Sequence, residues 1–416
     1  MEPIHTSFDK LPPGVWRGVL VLDQKSYLAA TDEEVTVKSD YEGELPFNFE
    51  IQYDEQSNFQ IVIRNAGETI IVDDITYNRD KATAKDTIRI DFPDFDTYIT
   101  AIYEEDIMEG YWHVPYKNNY TIPFKAYHGQ GHRFATTKVE PAVDLTGRWQ
   151  VTFEEGTEDE YPAIGEFKQD GYKVTGTFLT ETGDYRYLEG TIQGDKVYLS
   201  CFDAAHAFLF EAKVLEDESL TGIFRSGKHY TSSWSAVRNS NATLSDAFEL
   251  TTATNPEQKF DFTFPGLDGN MVSLSDDRFD DKVKLVKITG TWCPNCKDET
   301  MFLKDYFDSN PSDEVEVIEI AFERYKDDEK NIAQLQRYKE KLDLPFTMLY
   351  GGTSSKKNAS EKLPQISSVM SYPTLIFVDR QNNIKKIHTG FSGPATSGYA
   401  KFKNDFDQIM KELLAS

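Results

Sequence analysis

Cysteine is scarce in this chain: three residues among 416. That is too few for a disulfide framework and excludes the small stapled folds of secreted mini-domains. No apolar run approaches the ~18 residues that a membrane-spanning helix needs. The start, Met1-Glu2-Pro3-Ile4-His5, has no basic segment followed by an apolar core. This fits a cytoplasmic protein, and equally an exported one whose signal was removed and replaced by Met1. Basic charge is also in short supply, with 44 Lys+Arg against 70 Asp+Glu and a net charge of −26. The imbalance is uneven: residues 255–416 carry −4 and the remainder −22. So acidic an N-terminal half repels nucleic acid and anionic membrane surfaces, and otherwise serves solubility.

Aromatic residues are plentiful, with 28 Phe and 22 Tyr, which favours sheet. Residues 14–238 show short alternating runs broken by Gly, Asp and Asn, and almost no helical period. Two segments look alike. Gly14-Val15-Trp16-Arg17-Gly18 is echoed by Leu145-Thr146-Gly147-Arg148-Trp149, and three later strand-like runs (88–92, 98–102, 108–112) are echoed by 197–202, 208–212 and 220–224. A tandem duplication follows, each copy an antiparallel meander of about eight strands able to close into a small barrel. In the second copy the strands are expected near 147–154, 162–169, 173–180, 185–193, 196–203, 207–215, 219–226 and 230–238. The Gly-x-Trp opening resembles the start of lipocalin-like and avidin-like barrels. Such a barrel is either filled by side chains or holds one small ligand.

The expected organisation is multidomain: an all-β N-terminal half of two repeats (1–140 and 141–238), a linker rich in Asn, Ser and Thr (239–256), and an α/β domain (257–416). Thr182-Gly183-Asp184-Tyr185-Arg186-Tyr187 and Phe202-Asp203-Ala204-Ala205-His206 place polar groups near strand ends. They read as turns with a satisfied Arg–Asp pair, the alternative being a ligand or partner surface. His206 and His229 read as surface or packed histidines rather than metal ligands, and Cys201 as a small buried hydrophobe.

The chemistry concentrates in Thr291-Trp292-Cys293-Pro294-Asn295-Cys296-Lys297-Asp298-Glu299. The run before it, 283–289, reads as a buried strand, and apolar residues after it recur at helical spacing. The cysteine pair therefore sits where a strand hands over to a helix N-terminus. Unpaired N–H groups there favour a thiolate, the reactive form, whose pKa can fall from ~8.5 into the range of about 3.5–7.5. Two intervening residues let the pair cycle between dithiol and disulfide with little backbone movement. Cys293, at the helix end, is assigned the attack on a partner, and Cys296, one turn in, the resolving step. Pro294 suits the first helical turn. The alternatives are a structural disulfide or half of a zinc site; the latter needs further ligands at matching spacing, and Cys201 lies far upstream.

Downstream, strands near 315–321, 346–350, 374–378 and 384–387 alternate with helices near 328–342 and 397–414, after a strand and hairpin turn at 260–270. This is the signature of an α/β sandwich with a mixed sheet. The pattern of residues ~255–416 resembles the thioredoxin superfamily, and within it the exported TlpA-like thiol–disulfide oxidoreductases. Trp292-Cys293-Pro294-Asn295-Cys296 matches the family's Trp-Cys-x-x-Cys. Tyr372-Pro373-Thr374 matches its cis-proline element, where the backbone before Pro373 pairs with a substrate's extended chain. Glu299 matches a glutamate of the cytochrome c maturation type of reductase, which implies proton transfer at the cysteine pair. The alternative for Glu299 is an exposed first-turn acid. The resemblance implies Trp292, Pro294, Tyr372 and Pro373 as substrate-binding residues and Cys293, Cys296 and Glu299 as catalytic ones. It implies no metal and no cofactor beyond the redox-active Cys293–Cys296 disulfide.

The implied partners are protein disulfide substrates and a membrane or envelope thiol electron donor. The implied place is the bacterial cell envelope or periplasm, with anchoring through a removed signal or lipoprotein segment. The expected direction is reduction. Two features depart from the wider superfamily: Lys287 stands where thioredoxins carry an aspartate, and the dipeptide between the cysteines is Pro-Asn. Three rivals remain: a peroxiredoxin-like peroxidase, which wants a threonine where Gly290 stands; a copper-handling protein using His388; and a binding protein whose β half, with a small ligand in its barrels, is the functional part.

Overall fold

The computed structural model describes residues 11–22, 43–55, 58–118, 120–134 and 136–415. The first repeat is one antiparallel sheet of nine described strands. Its order across the sheet is Glu68–Val72, Phe59–Asn65, Glu44–Tyr53, Gly14–Val21, Tyr120–His128, Ile107–Val114, Thr97–Glu104, Asp86–Phe92 and Ile75–Arg79. The second repeat is a closed barrel. Gly147–Phe153 pairs with Tyr161–Asp170 and with Tyr230–Arg238, and Tyr161–Asp170 turns back onto Lys173–Thr180 to complete the ring through Leu188–Gln193, Lys196–Phe202, Ala207–Val214 and Leu220–Ser226. A two-residue strand, Gly183–Asp184, rides on the end of Lys173–Thr180.

Eight strands close the second repeat, as its spacing predicts, whereas the first stays open as a half-barrel, and two features account for the difference. Glu68–Val72 is long enough to cover Ile61–Asn65, which is most of the edge on which closure would occur. In the second copy the matching element spans two residues and leaves Lys173–Gly176 to pair with Leu188–Thr191. The open half-barrel is also filled from outside. Lys196–Phe202 buries both faces, Cys201 facing the barrel core and Phe202 entering the half-barrel, where it lies 4.6 Å from Phe47 and 5.3 Å from Trp112. Polar bonds seal this seam: Arg133 donates to the Ser200 carbonyl (2.9 Å) and the Arg64 carbonyl (2.6 Å), and Asn65 donates to the Phe202 carbonyl (2.9 Å). Cys201 is buried and free, the small core residue its strand pattern suggests. The barrel interior is a packed core rather than a ligand chamber, because Phe178, Phe210 and Phe224 stack successively at 4.5 and 4.4 Å.

The C-terminal region is thioredoxin-like. Five strands run in the order Thr347–Thr353, Val315–Glu323, Val283–Thr289, Thr374–Val378 and Ile384–Thr389; the first three are parallel and the last two antiparallel to their neighbours. The helices are α1 (Pro294–Ser309), α2 (Asp328–Lys341), α3 (Lys356–Lys362) and α4 (Gly398–Leu414). Val283–Thr289 is buried at every position, as the central strand of a sheet covered on both faces must be. Asp327 caps α2 by accepting from the backbone of Glu329 and Lys330. Residues 239–256 follow the joint between barrel and α/β domain: Ala242 packs with Ile164 and Leu179 of the barrel, and Thr389 donates its N–H to the Ala247 carbonyl.

Candidate active site

The strand Val283–Thr289 delivers the chain to Gly290, Thr291 and Trp292, and α1 begins at Pro294. Cys293 is the N-cap residue, with extended backbone (φ −109°), and its sulfur accepts from the Cys296 N–H at 3.2 Å. Cys293 and Cys296 are joined as a disulfide, with Cα atoms 5.2 Å apart. Cys293 retains 6 % exposure and Cys296 none. Close packing holds the approach to the pair. A Cβ on Gly290 would lie 2.4 Å from Trp292 Nε1 and 2.8 Å from the Phe322 carbonyl, so a threonine has no room there. Trp292 donates to that carbonyl (2.9 Å), and its ring meets Tyr372 edge-on at 5.3 Å. The Tyr372–Pro373 peptide is cis, and the Tyr372 carbonyl lies 3.4 Å from the Cys293 sulfur. Trp292, Cys293, Pro294, Tyr372 and Pro373 are thus gathered at one place, although 79 residues separate the two halves of the contact.

Beneath the pair lies a buried polar layer. Glu299 is not an exposed first-turn acid: it has no exposure, and neither carboxylate oxygen has a hydrogen-bond partner among the described residues. Burial pushes its carboxyl up to about 8; Lys287, 4.0 Å away, opposes this only in part, and Glu319 adds to it. Lys287, also without exposure, donates to the Cys296 carbonyl (2.7 Å), the Thr300 hydroxyl (2.5 Å) and Glu319 (3.2 Å). Glu323 accepts from the Thr291 N–H (2.8 Å) and hydroxyl (2.9 Å) and so fixes the turn before Trp292; burial outweighs these bonds and raises its carboxyl to about 7. Glu319, Glu323 and Thr300 were not anticipated. The available signal was three glutamates, Glu316, Glu319 and Glu323, in the otherwise apolar run 315–323.

Burial thus keeps the carboxyl one helical turn beyond Cys296 protonated at neutral pH. The shift has a testable sign. Folded Glu299 holds its proton more tightly than an ordinary carboxyl near 4.5, so its contribution to stability is complete below that pH and is lost as pH rises through about 8. Oxidised wild type is therefore expected to lose stability relative to Glu299→Gln as pH rises from about 4.5 to 8. Urea midpoints at several pH values check this, and a pH-independent difference between the two proteins contradicts it.

The β half closes over this site. Asn295 donates to the Asp184 carbonyl (3.2 Å), Ser371, two residues before Pro373, donates to the Thr182 carbonyl (2.6 Å), and Lys297 pairs with Asp94. A Cβ on Gly183 (φ +144°) would fall 2.5 Å from Asn295, so the barrel loop can approach this closely only as glycine. Arg186 is more than the partner of one aspartate. It lies 3.5 Å from Asp203, 2.6 Å from Glu68 of the first repeat, and is bonded to Asp298 on α1. His206 stacks on Phe208 at 4.4 Å. His388 is buried between Phe248 and Phe402, in the cluster under α4, and burial lowers its pKa to about 4. No group of three or more His, Cys, Asp or Glu among the described residues is arranged to hold a metal ion.

Fold and site together define a thioredoxin-like domain with a Cys-x-x-Cys disulfide at a helix N-terminus, docked to two β repeats. Residues 256–387 match the model of the AhpC/TSA family. No curated protein matches the chain. Several solved structures are similar to its C-terminal region. A thioredoxin-family thiol:disulfide interchange protein from Chlorobium tepidum is 18 % identical, covering 39 % of this chain and 99 % of its own, with a TM-score of 0.30. A DsbF homologue from Corynebacterium diphtheriae is 16 % identical over 42 % and 98 %, with a TM-score of 0.30. An exposed lipoprotein thioredoxin from Streptococcus pneumoniae is 25 % identical over 37 % and 99 %, with a TM-score of 0.27.

Proposed function

We propose that this chain is a thiol–disulfide oxidoreductase of TlpA type that reduces disulfides in exported protein substrates. The observation that carries the reading is the Cys293 sulfur at the N-terminus of α1, bonded to Cys296 and facing the carbonyl that precedes Pro373. In the reduced protein the Cys293 thiolate attacks one sulfur of the substrate disulfide and expels the other as a thiolate. Cys296 loses its proton and attacks the Cys293 sulfur, which releases the second substrate sulfur. The substrate ends as a dithiol and the enzyme as the Cys293–Cys296 disulfide. The helix N-terminus stabilises the attacking thiolate by roughly 0.3–1 kcal/mol, and up to ~2 where it is partly buried. Glu299 passes protons at the pair: its ionised form, which grows as pH approaches about 8, accepts the proton that Cys296 gives up, with Lys287 holding the carbonyl of Cys296 in place.

Trp292, Pro294, Tyr372 and Pro373 form the surface against which the substrate's extended chain lies. An envelope thiol donor returns the enzyme to the dithiol, and the chain works in the bacterial cell envelope or periplasm. A peroxidase reading draws no support from Gly290, where the packing leaves no space for the threonine such enzymes use. Equilibration with glutathione buffers, read by alkylation of Cys293 and Cys296, tests the proposal. The expected potential lies toward the thioredoxin end of the range of about −270 to −120 mV. A potential at the oxidising end excludes the reductant role, and rapid oxidation of the pair by peroxide but not by a disulfide peptide excludes the exchange activity.

A further inference from the structure

The three parts of the chain meet around a cavity of ≈ 380 Å³ at the mouth of the barrel. Trp292 and Arg324 enter it from the α/β domain, Lys117 from the first repeat, and His229 and Phe224 from the barrel. Its charge runs against that of the molecule. In a chain of net charge −26 no Asp or Glu among the described residues lines this cavity, whereas a lysine, an arginine and two histidines do. The cations are not spent on carboxylates. Arg324 lies over the Trp292 ring at 3.9 Å and the Tyr116 ring at 5.1 Å, and the Lys117 ammonium lies 3.3 Å from His229 Nε2. Glu323, next to Arg324 in sequence, is occupied by Thr291. Of the acids behind the cavity, Asp203 is bonded to His206 and Arg186, and Asp96 to Tyr325 and Arg337. Burial, and after it Arg324, push Lys117 down to about 8, and burial, then Lys117 and Arg324, push His229 down to about 4. An anion entering here relieves repulsion already built into the fold. The aromatic walls suit a group with an apolar stem.

We propose that this cavity is a carboxylate-binding subsite that takes an acidic side chain of the substrate polypeptide next to the disulfide under attack. The position argues for a substrate side chain, because Trp292, one wall of the cavity, immediately precedes Cys293. The barrel loop reaches the site through Asn295 and Ser371. The β repeats thereby acquire a role in choosing substrates. The purpose of the subsite rests on the proposed exchange activity, but its binding does not.

The test uses the oxidised full-length chain and peptides in which serine replaces cysteine, so that no exchange occurs. One peptide carries Glu beside that serine and the other Gln, and titration calorimetry reads both. The Glu peptide is expected to bind at least about tenfold tighter, as for a close charge pair. Lys117→Gln is expected to abolish the preference, and Lys117→Glu to reverse it in favour of a Lys-bearing peptide. Equal affinities for the Glu and Gln peptides in wild type, or a preference that survives both substitutions, overturns the proposal. Free glutarate that displaces the Glu peptide with the peptide's own affinity assigns the cavity to a small acid and overturns the substrate assignment. Insulin reduction, measured in parallel, can fail and refute the exchange activity without altering this comparison.

Discussion

Replacing Cys293 with serine is expected to remove disulfide reduction by at least about 10³-fold, the scale on which losing a nucleophile falls. The reason is local. Cys293 is the sulfur at the mouth of α1, where the Cys296 N–H points at it, and a hydroxyl there is not deprotonated at neutral pH. Cys296→Ser predicts a different outcome. The attack by Cys293 survives, but the second sulfur is missing, so a mixed disulfide with the substrate accumulates and can be isolated under denaturing, non-reducing conditions. The asymmetry follows from burial: Cys296 has no exposure and reaches a substrate sulfur only through Cys293. Insulin turbidity and gel analysis of trapped complexes measure both variants. Retained reduction by Cys293→Ser, or accumulation on Cys296 instead, ends the assignment of roles.

The largest expected effect on stability lies at Arg186. Burial works against its charge, but Asp298, Glu68 and Asp203 together outweigh that and hold the guanidinium firmly charged. Arg186→Met removes the single cation shared by three carboxylates from three parts of the chain. Glu68 is already pushed up by burial even with Arg186 in place, so little remains to offset the uncovered charge. Breaking one partner of a buried ion pair costs roughly 3–5 kcal/mol, and the cluster here is more than a pair. Urea unfolding followed by circular dichroism is expected to show that loss, or a split transition in which the α/β domain parts from the β half. Limited proteolysis within 239–256 should accelerate at the same time. Asp298→Asn, which keeps the guanidinium and two of its acids, is expected to cost less. If Arg186→Met unfolds like wild type, the cluster does not hold the domains together.

The elements near the cysteines were legible because their signals are local. A buried strand, two cysteines separated by two residues, a proline at the first helical turn and an amphipathic run are all read from spacings of a few residues. The same holds for the second repeat, whose strands fall at 147–153, 161–170, 173–180, 188–193, 196–202, 207–214, 220–226 and 230–238. The one departure, residues 185–187, is instructive. Tyr185 and Arg186 read as strand, but Arg186 takes a positive φ of 62° and turns out of the sheet toward α1. Glu299 was legible as a residue of interest but not as a buried acid, because its position on the helix shows only that it follows Cys296 by one turn. What covers it comes from strands elsewhere in the chain.

The sequence by itself determined the β meanders, the alternation of strand and helix, and the placement of a cysteine sulfur at a helix mouth, since each depends on the order of neighbouring residues. Only the tertiary structure decided that one repeat closes while the other stays open around Phe202, and that Lys287 faces Glu319 and Glu299 under the disulfide. It alone decided that Arg186 joins Asp298 across 112 residues and that cations from two distant segments face one cavity. The physical reason is reach. Periodicity records which face of an element is buried, whereas charge pairing and cavity lining depend on which elements are packed together, and no local spacing carries that.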